Sequence, residues 1–569
     1  MPRSGLIGCS VALALSLAPL ASFAQTAAAA MSAPPARDWT TWGYDQERTG
    51  WNRGETTLDK TNVAKLKLLW STQLSTVPNN EALSTLTAPL VVEGVNVAGA
   101  PKTLVFLLGA DDTLFALDAD SGKIAWQKTY PNPEKPQHPA DTSCANAAQD
   151  TPVVDKAKGL IFFVASDGKL RAVHLADGSN AMRPKPMLAA YARAWSLNLI
   201  DDVIYAPSGR GCGNLDPHST MATAAVADAF KPGGDIVLLE PASISAMDVH
   251  DLANPVLTRF YTSGGRPNGA WGRGGVVKAD RGVIVQTADG PVDPASGNYG
   301  LSYIKLAPRV TRLLDSYTPS NFKRLNTYDL DLGSASSTAF TLGKRTVVAG
   351  AGKEGVLYVL DVDNLGGLDH STPLYKSPLL GNDAASGTEP GQGVWGATST
   401  YLSPEGQRFV YIPMRGPPSK DAPAFQNANG PVPHGSIMAF ELTDEGGAVK
   451  LSAAWTSPDL ITPDPPVIAN GVVYAVQTGD QPLLQRPAKD GVKFGVKGPE
   501  ADLFRATPIG PMVLWALDAE TGKLLYNSGK LITGWTHFSE PVVAMGKVFV
   551  ETHEGQVFAF GLPPKSAKP

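Results

Sequence analysis

The sequence predicts an all-β chain folded as an eight-bladed β-propeller of four-stranded antiparallel blades, with seven blades as the alternative count. Three observations predict it. Residues 116–126 read A-L-D-A-D-S-G-K-I-A-W and residues 516–526 read A-L-D-A-E-T-G-K-L-L-Y, so one structural unit recurs far along the chain. Each copy follows a short apolar strand, turns on an Asp and a Gly, and ends on an aromatic able to dock on a neighbouring sheet. The composition, 57 Gly and 47 Pro among 569 residues, suits many strands joined by turns rather than long helices.

The elements follow in chain order. Residues 1–24 combine Arg3, an apolar run over 11–20 and a small-residue A-S-F-A at 21–24, the pattern of a cleaved export signal. The run is too short to span a bilayer, so the expectation is a periplasmic or secreted protein that is not membrane-spanning. Residues 25–37, rich in Ala, Ser and Pro, read as a flexible tail, and 38–563 as a single propeller domain. Apolar strands recur at 88–92, 152–154, 160–165, 199–206, 282–286, 346–349, 356–361, 408–413, 466–477 and 541–551. Degenerate blade endings fall at 170–178, 245–261, 357–375 and 437–455, with half of one more at 557–560. Four strands per blade over this length favour eight. The last strand is expected to complete the first blade, which closes the ring and removes exposed edges. Long loops at 131–149, 214–234, 417–434 and 481–508 are expected to gather over the axis.

Several function classes lose support. A formal net charge of −5 without a basic run argues against a nucleic-acid partner. No C-x-x-C-H occurs, so no covalent haem is expected. Nucleophile-elbow, P-loop and dinucleotide fingerprints in the right context are absent. Beyond the signal only Cys144 and Cys212 remain. An oxidising compartment permits a bond between them, and spacing alone leaves a disulfide and two buried thiols both open. His434, His537 and His553 are scattered, without metal-ligand spacing.

Local patterns suggest a binding site. Residues 265–275, G-R-P-N-G-A-W-G-R-G-G, set Arg266, Trp271 and Arg273 among glycines. Glycine lets backbone approach a ligand closely, and Arg can hold carboxylates bidentately. A tight corner between blades is the alternative. Q-G-V-W at 392–395 places Trp395 before another strand, a second candidate for the axis.

The opening D-W-T-T-W-G at 38–43, with L-D-K-T-N-V-A-K-L at 58–66 and Trp70, resembles the start of the quinoprotein alcohol dehydrogenases. Those are eight-bladed propellers holding pyrroloquinoline quinone (PQQ) and usually Ca²⁺ on the axis. The blade ending at 116–126 is similar to their tryptophan-docking motif. The resemblance implies a site residue by residue. Trp271, spaced before Q-T-A-D-G at 286–290 like the family's floor Trp, would stack on the cofactor. Asp289 falls where the family's metal-binding Asn lies, and an Asp still offers oxygen to Ca²⁺. Lys353, in A-G-K-E-G-V-L-Y-V-L-D, matches the cation beside the quinone oxygens. PQQ carries three carboxylates, which suits Arg266 and Arg273. Other positions depart from the family. Its catalytic Asp falls near Asn298, leaving Asp293 as the nearest replacement. Its metal Glu falls near Gly211, its adjacent-Cys pair is reduced to Cys144, and Gln149 stands near its Arg. Glu81 is the nearest candidate for an early Glu. The implied function is an exported quinoprotein-type oxidoreductase. It would oxidise an alcohol or related small molecule and pass electrons to a separate acceptor such as a cytochrome c. The departures motivate the alternative of a non-catalytic propeller acting as a binding or assembly scaffold in the cell envelope.

Overall fold

The computed structural model describes residues 37–76, 83–137, 139–141, 144–209, 212–215, 223–226, 236–239, 241–263, 268–383, 392–482 and 503–563. The expected signal, nearly all of the expected tail, Glu81, Gly211, Arg266 and most of the loops 214–234 and 481–508 lie outside them. Among the described residues no helix is long and apolar enough to cross a membrane.

Among the described residues eight sheets, each built on four antiparallel strands and some carrying an extra short strand, follow one another along the chain. Their first strands begin at Leu90, Val153, Asn198, Val277, Thr338, Ser399, Val467 and Val542. The middle strands of each sheet are apolar on both faces, as in Leu160–Val164 and Val472–Gln477, because neighbouring blades cover both sides. The outermost strands are half exposed, as in Ile124–Thr129.

The recurring motif has a physical reading in the structure. Asp118 accepts from the backbone N–H of Asp120 and Ser121, and Asp518 from those of Glu520 and Thr521, so the third residue of each copy pins its own turn. The turn glycines have positive φ, 69° at both Gly122 and Gly522. They also leave room for an indole. A Cβ on Gly122 would lie 2.6 Å from Trp70, and one on Gly522 would lie 2.4 Å from Trp455. Each indole N–H then donates to the neighbouring blade, Trp70 to Ala119 and Trp455 to Ala519, both at 3.0 Å. Trp126 makes the same bond to Leu175 of the second blade. The aromatic ending of one blade therefore clips onto the turn of the next.

The ring closes in the opposite sense to the expectation. The strand Lys67–Gln73 pairs antiparallel with Gln556–Gly561, so the first strand completes the last blade. The three C-terminal strands can satisfy only part of that sheet, and the N-terminal strand removes its free edge.

The opening segment has a second role. Its backbone and side chains hydrogen-bond in turn to the innermost strand of every blade. Trp39 bonds to Val91, Thr40 to Val154, Gln46 to Leu199 and Lys278, Glu47 to Ala339, Thr49 to Thr400, Gly50 to Ile468 and Asn52 to Val543. These inner edges would otherwise carry unpaired backbone groups. Arg48, fully buried, donates to Thr41, to the Trp42 carbonyl and to the Leu197 carbonyl at 2.6–2.8 Å. Residues 39–52 thus close the axis at the level of the inner strands.

Candidate functional site

Connections that lead into inner strands deliver a compact aromatic group. Trp195, Trp271, Trp395 and Phe538 precede the third, fourth, sixth and eighth blades, and together with Ala288 they form one buried cluster. Ring centroids lie 5.4 Å apart for Trp271–Trp395, 6.1 Å for Trp271–Phe538 and 5.9 Å for Trp395–Phe538, the last pair stacked. Cations cover these rings. Lys353 Nζ lies 5.3 Å from the Trp271 centroid and 5.0 Å from that of Trp395. Arg273 lies 4.2 Å from the Trp195 centroid, and Arg415 lies 5.2 Å from that of Trp395. Arg193 sits over Trp195 and Trp271. The chain thus brings together Lys353, Trp271, Trp395 and Arg273, which the sequence singled out separately.

Asp289 joins this group through its neighbours. Its backbone N–H donates to Asp331, and Lys353 bridges Asp331 at 2.7 Å and Asp329 at 3.3 Å. One carboxylate oxygen each from Asp289, Asp329 and Asp331 lies within 4.8 Å of the others. The Asp331 charge, with burial, pushes the Asp289 carboxyl up to about 8. Burial opposes ionisation of Asp331, but Lys353 and the Asp289 hydrogen bond hold its carboxyl below the usual range. Burial likewise opposes the Lys353 charge, and Asp329 and Asp331 outweigh it, so its ammonium titrates above the ordinary value. Three carboxylate oxygens this close together form a donor set that suits a hard metal ion.

A second polar group adjoins the rings. Arg415 lies 3.5 Å from Asp464 and 3.6 Å from Asp480, and His537 Nδ1 meets Asp480. Burial raises Asp464 to about 7 and lowers Arg273 to about 9. Arg273 is 5% exposed and donates to the Ser84 hydroxyl and, at 3.4 Å, to the Gln149 carbonyl. Among the described residues, the Nε atoms of Arg273 and Arg415 and the indole nitrogen of Trp195 are buried without a hydrogen-bond partner. Unmet buried donors of this kind are costly unless an acceptor arrives.

Asp293 is exposed in a short hairpin, Val292–Asp293 against Asn298–Tyr299, and accepts from the Ser296 hydroxyl. The described glycines of this run, from Gly269 onward, serve the inter-blade corner. A Cβ on Gly272 would meet the Ala335 backbone at 2.5 Å. Sequence reasoning missed Trp195, Phe538, Arg193, Asp331, Arg415, Asp480 and the pairing of His537. The D-L-D at 329–331 was the one local signal, two acids on one short turn.

Cys144 and Cys212 are joined, with Cα atoms 5.3 Å apart. The bond closes a loop 68 residues long in sequence. Chain entropy alone then gives it about 4 kcal/mol. Urea unfolding of Cys144→Ser/Cys212→Ser should show a loss of that order, and a loss below about 1 kcal/mol would show that loop closure contributes little.

Residues 39–183 match the family described as the beta-propeller domain of PQQ-containing glucose/ethanol/alcohol dehydrogenases. A comparison with curated protein sequences gives no match. Among solved structures, the quinohemoprotein alcohol dehydrogenase from Comamonas testosteroni aligns with a TM-score of 0.58 at 16% identity, over 94% of this chain and 82% of that one. A europium-containing methanol dehydrogenase aligns with a TM-score of 0.58 at 13% identity, over 93% of this chain and 99% of that one. A quinohemoprotein alcohol dehydrogenase from Pseudomonas putida HK5 gives 0.55 at 13% identity, over 94% and 81%. The chain has the eight-bladed propeller fold seen in these alcohol and methanol dehydrogenases, and its residues 39–183 match the PQQ propeller-domain family.

Proposed function

We propose that this chain is an exported oxidoreductase that binds PQQ with a hard cation such as Ca²⁺ at the axial cluster. It would oxidise an alcohol or related small molecule and pass electrons to a separate acceptor such as a cytochrome c. The observation that carries this reading is the convergence of Lys353, Arg273 and Arg415 on the faces of Trp195, Trp271 and Trp395. A flat tricarboxylate fits this chemistry. The orphaned N–H donors of Arg273, Arg415 and Trp195 would receive its anionic oxygens. Trp271 would supply an apolar face, and Asp289 with Asp331 would hold the cation in place of the proton that the Asp331 charge and burial favour on Asp289. When bound, the quinone would supply a two-electron acceptor. The protein's part is to orient the substrate, exclude water and hold charge. Lys353, 3% exposed, supplies a fixed positive charge in a dry site.

The packing of the rings favours a second reading. Enclosing a flat molecule takes about 7 Å between ring planes, twice the van der Waals contact distance. The Trp271–Phe538 and Trp395–Phe538 centroids are closer, at 6.1 and 5.9 Å. Cofactor entry between these rings therefore requires one of them to move. A ring that stays closed makes the chain a non-catalytic scaffold of the envelope. Titration of the purified protein with PQQ and Ca²⁺ decides between them. The oxidoreductase gives a bound-quinone absorbance band, quenched tryptophan emission and alcohol-dependent dye reduction. Absence of all three rejects it.

A further inference from the structure

We infer that His537, oriented by Asp480, is the base that accepts the proton of a substrate hydroxyl at the axial site. The inference rests on the oxidoreductase reading and names a residue that reading left unassigned. The position where the related dehydrogenases were expected to place a carboxylate base is Asn298, whose amide cannot take a proton near neutral pH.

His537 lies in the connection between the seventh and eighth blades, and its side chain is 1% exposed. The partner of its Nδ1 sets the tautomer. Nδ1 meets the Asp480 carboxylate, which when ionised can only accept. The ring proton therefore sits on Nδ1, and Nε2 carries a lone pair. That nitrogen is buried and, among the described residues, has no hydrogen-bond partner. The orphaned nitrogens of Arg273, Arg415 and Trp195, whose side chains also lie against Phe538, are donors. His537 Nε2 is the acceptor among them. A histidine that served packing alone would be expected to satisfy Nε2 from a nearby hydroxyl. Ser84, the hydroxyl at hand, instead donates to the His537 backbone carbonyl.

The His537 ring centroid lies 3.7 Å from that of Phe538, which stacks on Trp395. Trp395 in turn lies 5.0 Å from Lys353 Nζ. The imidazole therefore adjoins the aromatic group that holds the proposed cofactor residues. The charges facing the imidazole are Asp480, Arg415 and Arg505. Burial drives its pKa down to about 3, and the two arginines add to the depression, so the ring is neutral at ordinary pH. An anionic ligand beside Arg415 would raise its basicity.

The step is a proton transfer. The substrate O–H bond breaks, an Nε2–H bond forms, and the imidazolium is stabilised by Asp480. No oxidant is consumed in it. Asp480 is a positioning residue: it fixes the tautomer without touching the substrate.

The test uses the full protein with PQQ and Ca²⁺, and ethanol as the probe alcohol. His537→Gln should lower kcat by about 10²–10⁴-fold. Its PQQ affinity should stay within about threefold of wild type, because the loss is in chemistry rather than uniform binding. A readout without cofactor is ¹⁵N NMR of histidine-labelled wild type, which has eight His. His537 should show an unprotonated Nε2 and a protonated Nδ1 at pH 7, and Asp480→Asn should disturb that pattern. A protonated Nε2 in wild type overturns the assignment even if no variant folds. Full kcat in folded His537→Gln overturns it as well. Failure of wild type to bind PQQ overturns the oxidoreductase reading and this assignment together, a result recognisable because no variant is involved.

Discussion

Lys353→Ala is expected to lose about 3–5 kcal/mol of folding stability at neutral pH, the cost of leaving a buried charge without its partner. The ammonium is 3% exposed and lies 2.7 Å from Asp331, itself buried. The sign with pH follows from both groups. The Asp331 carboxyl is depressed from 3.8, so its contribution is present above that value and fades as pH falls through it. The Lys353 ammonium is raised from 10.5, so its contribution is present below that value and fades above it. The pair therefore stabilises the fold between about pH 4 and about pH 10. Urea unfolding at pH 7.5 and pH 4 should show a smaller penalty at the lower value, because Asp331 becomes protonated when its cation is missing. A penalty independent of pH would show that packing, not charge, is what alanine removes. Adding Asp331→Asn to Lys353→Ala should recover part of the loss, since the two residues are directly coupled. The same variant should bind PQQ at least about tenfold more weakly under the proposed function, because a charge-assisted contact is lost.

Trp455→Ala is expected to cost about 3–5 kcal/mol as well, through a different mechanism. The indole is fully buried, lies over Gly522 and donates to Ala519 of the next blade. Truncation removes the ring and leaves a void between two sheets that strands on both sides hold apart. Trp126 makes the same bond but is only half-buried, so Trp126→Ala should cost less. Trp455→Phe keeps most of the volume and loses the N–H bond, for about 1–2 kcal/mol. Chemical denaturation with tryptophan emission at other positions measures all three. Equal losses at 455 and 126 would remove burial as the explanation.

The propeller was legible because its repeat is local. Asp118 and Gly122, like Asp518 and Gly522, form turns within a few residues, and an aromatic, Trp126 or Tyr526, follows at the same spacing. Lys353 and Trp271 were legible through resemblance, and the structure sets them 5.3 Å apart, ammonium to ring centroid. The partners that set their chemistry were not legible. Arg415 lies 49 residues from Asp464, and His537 lies 57 from Asp480. No local period links such residues, because the ring brings different inter-blade connections to one point. The direction of closure was misjudged for a related reason. Completing the first blade with the last strand and the last blade with the first strand both remove an edge, and strand pattern alone does not separate them.

The residues synthesised first are the ones that finish the structure. Segment 39–52 and strand Lys67–Gln73 wait for partners that extend from Val91 to Gly561. Such long-range pairing makes folding slow. A nascent chain that has produced seven blades still carries its keystone undocked, and a stop codon late in the message would leave both ends of the arch open.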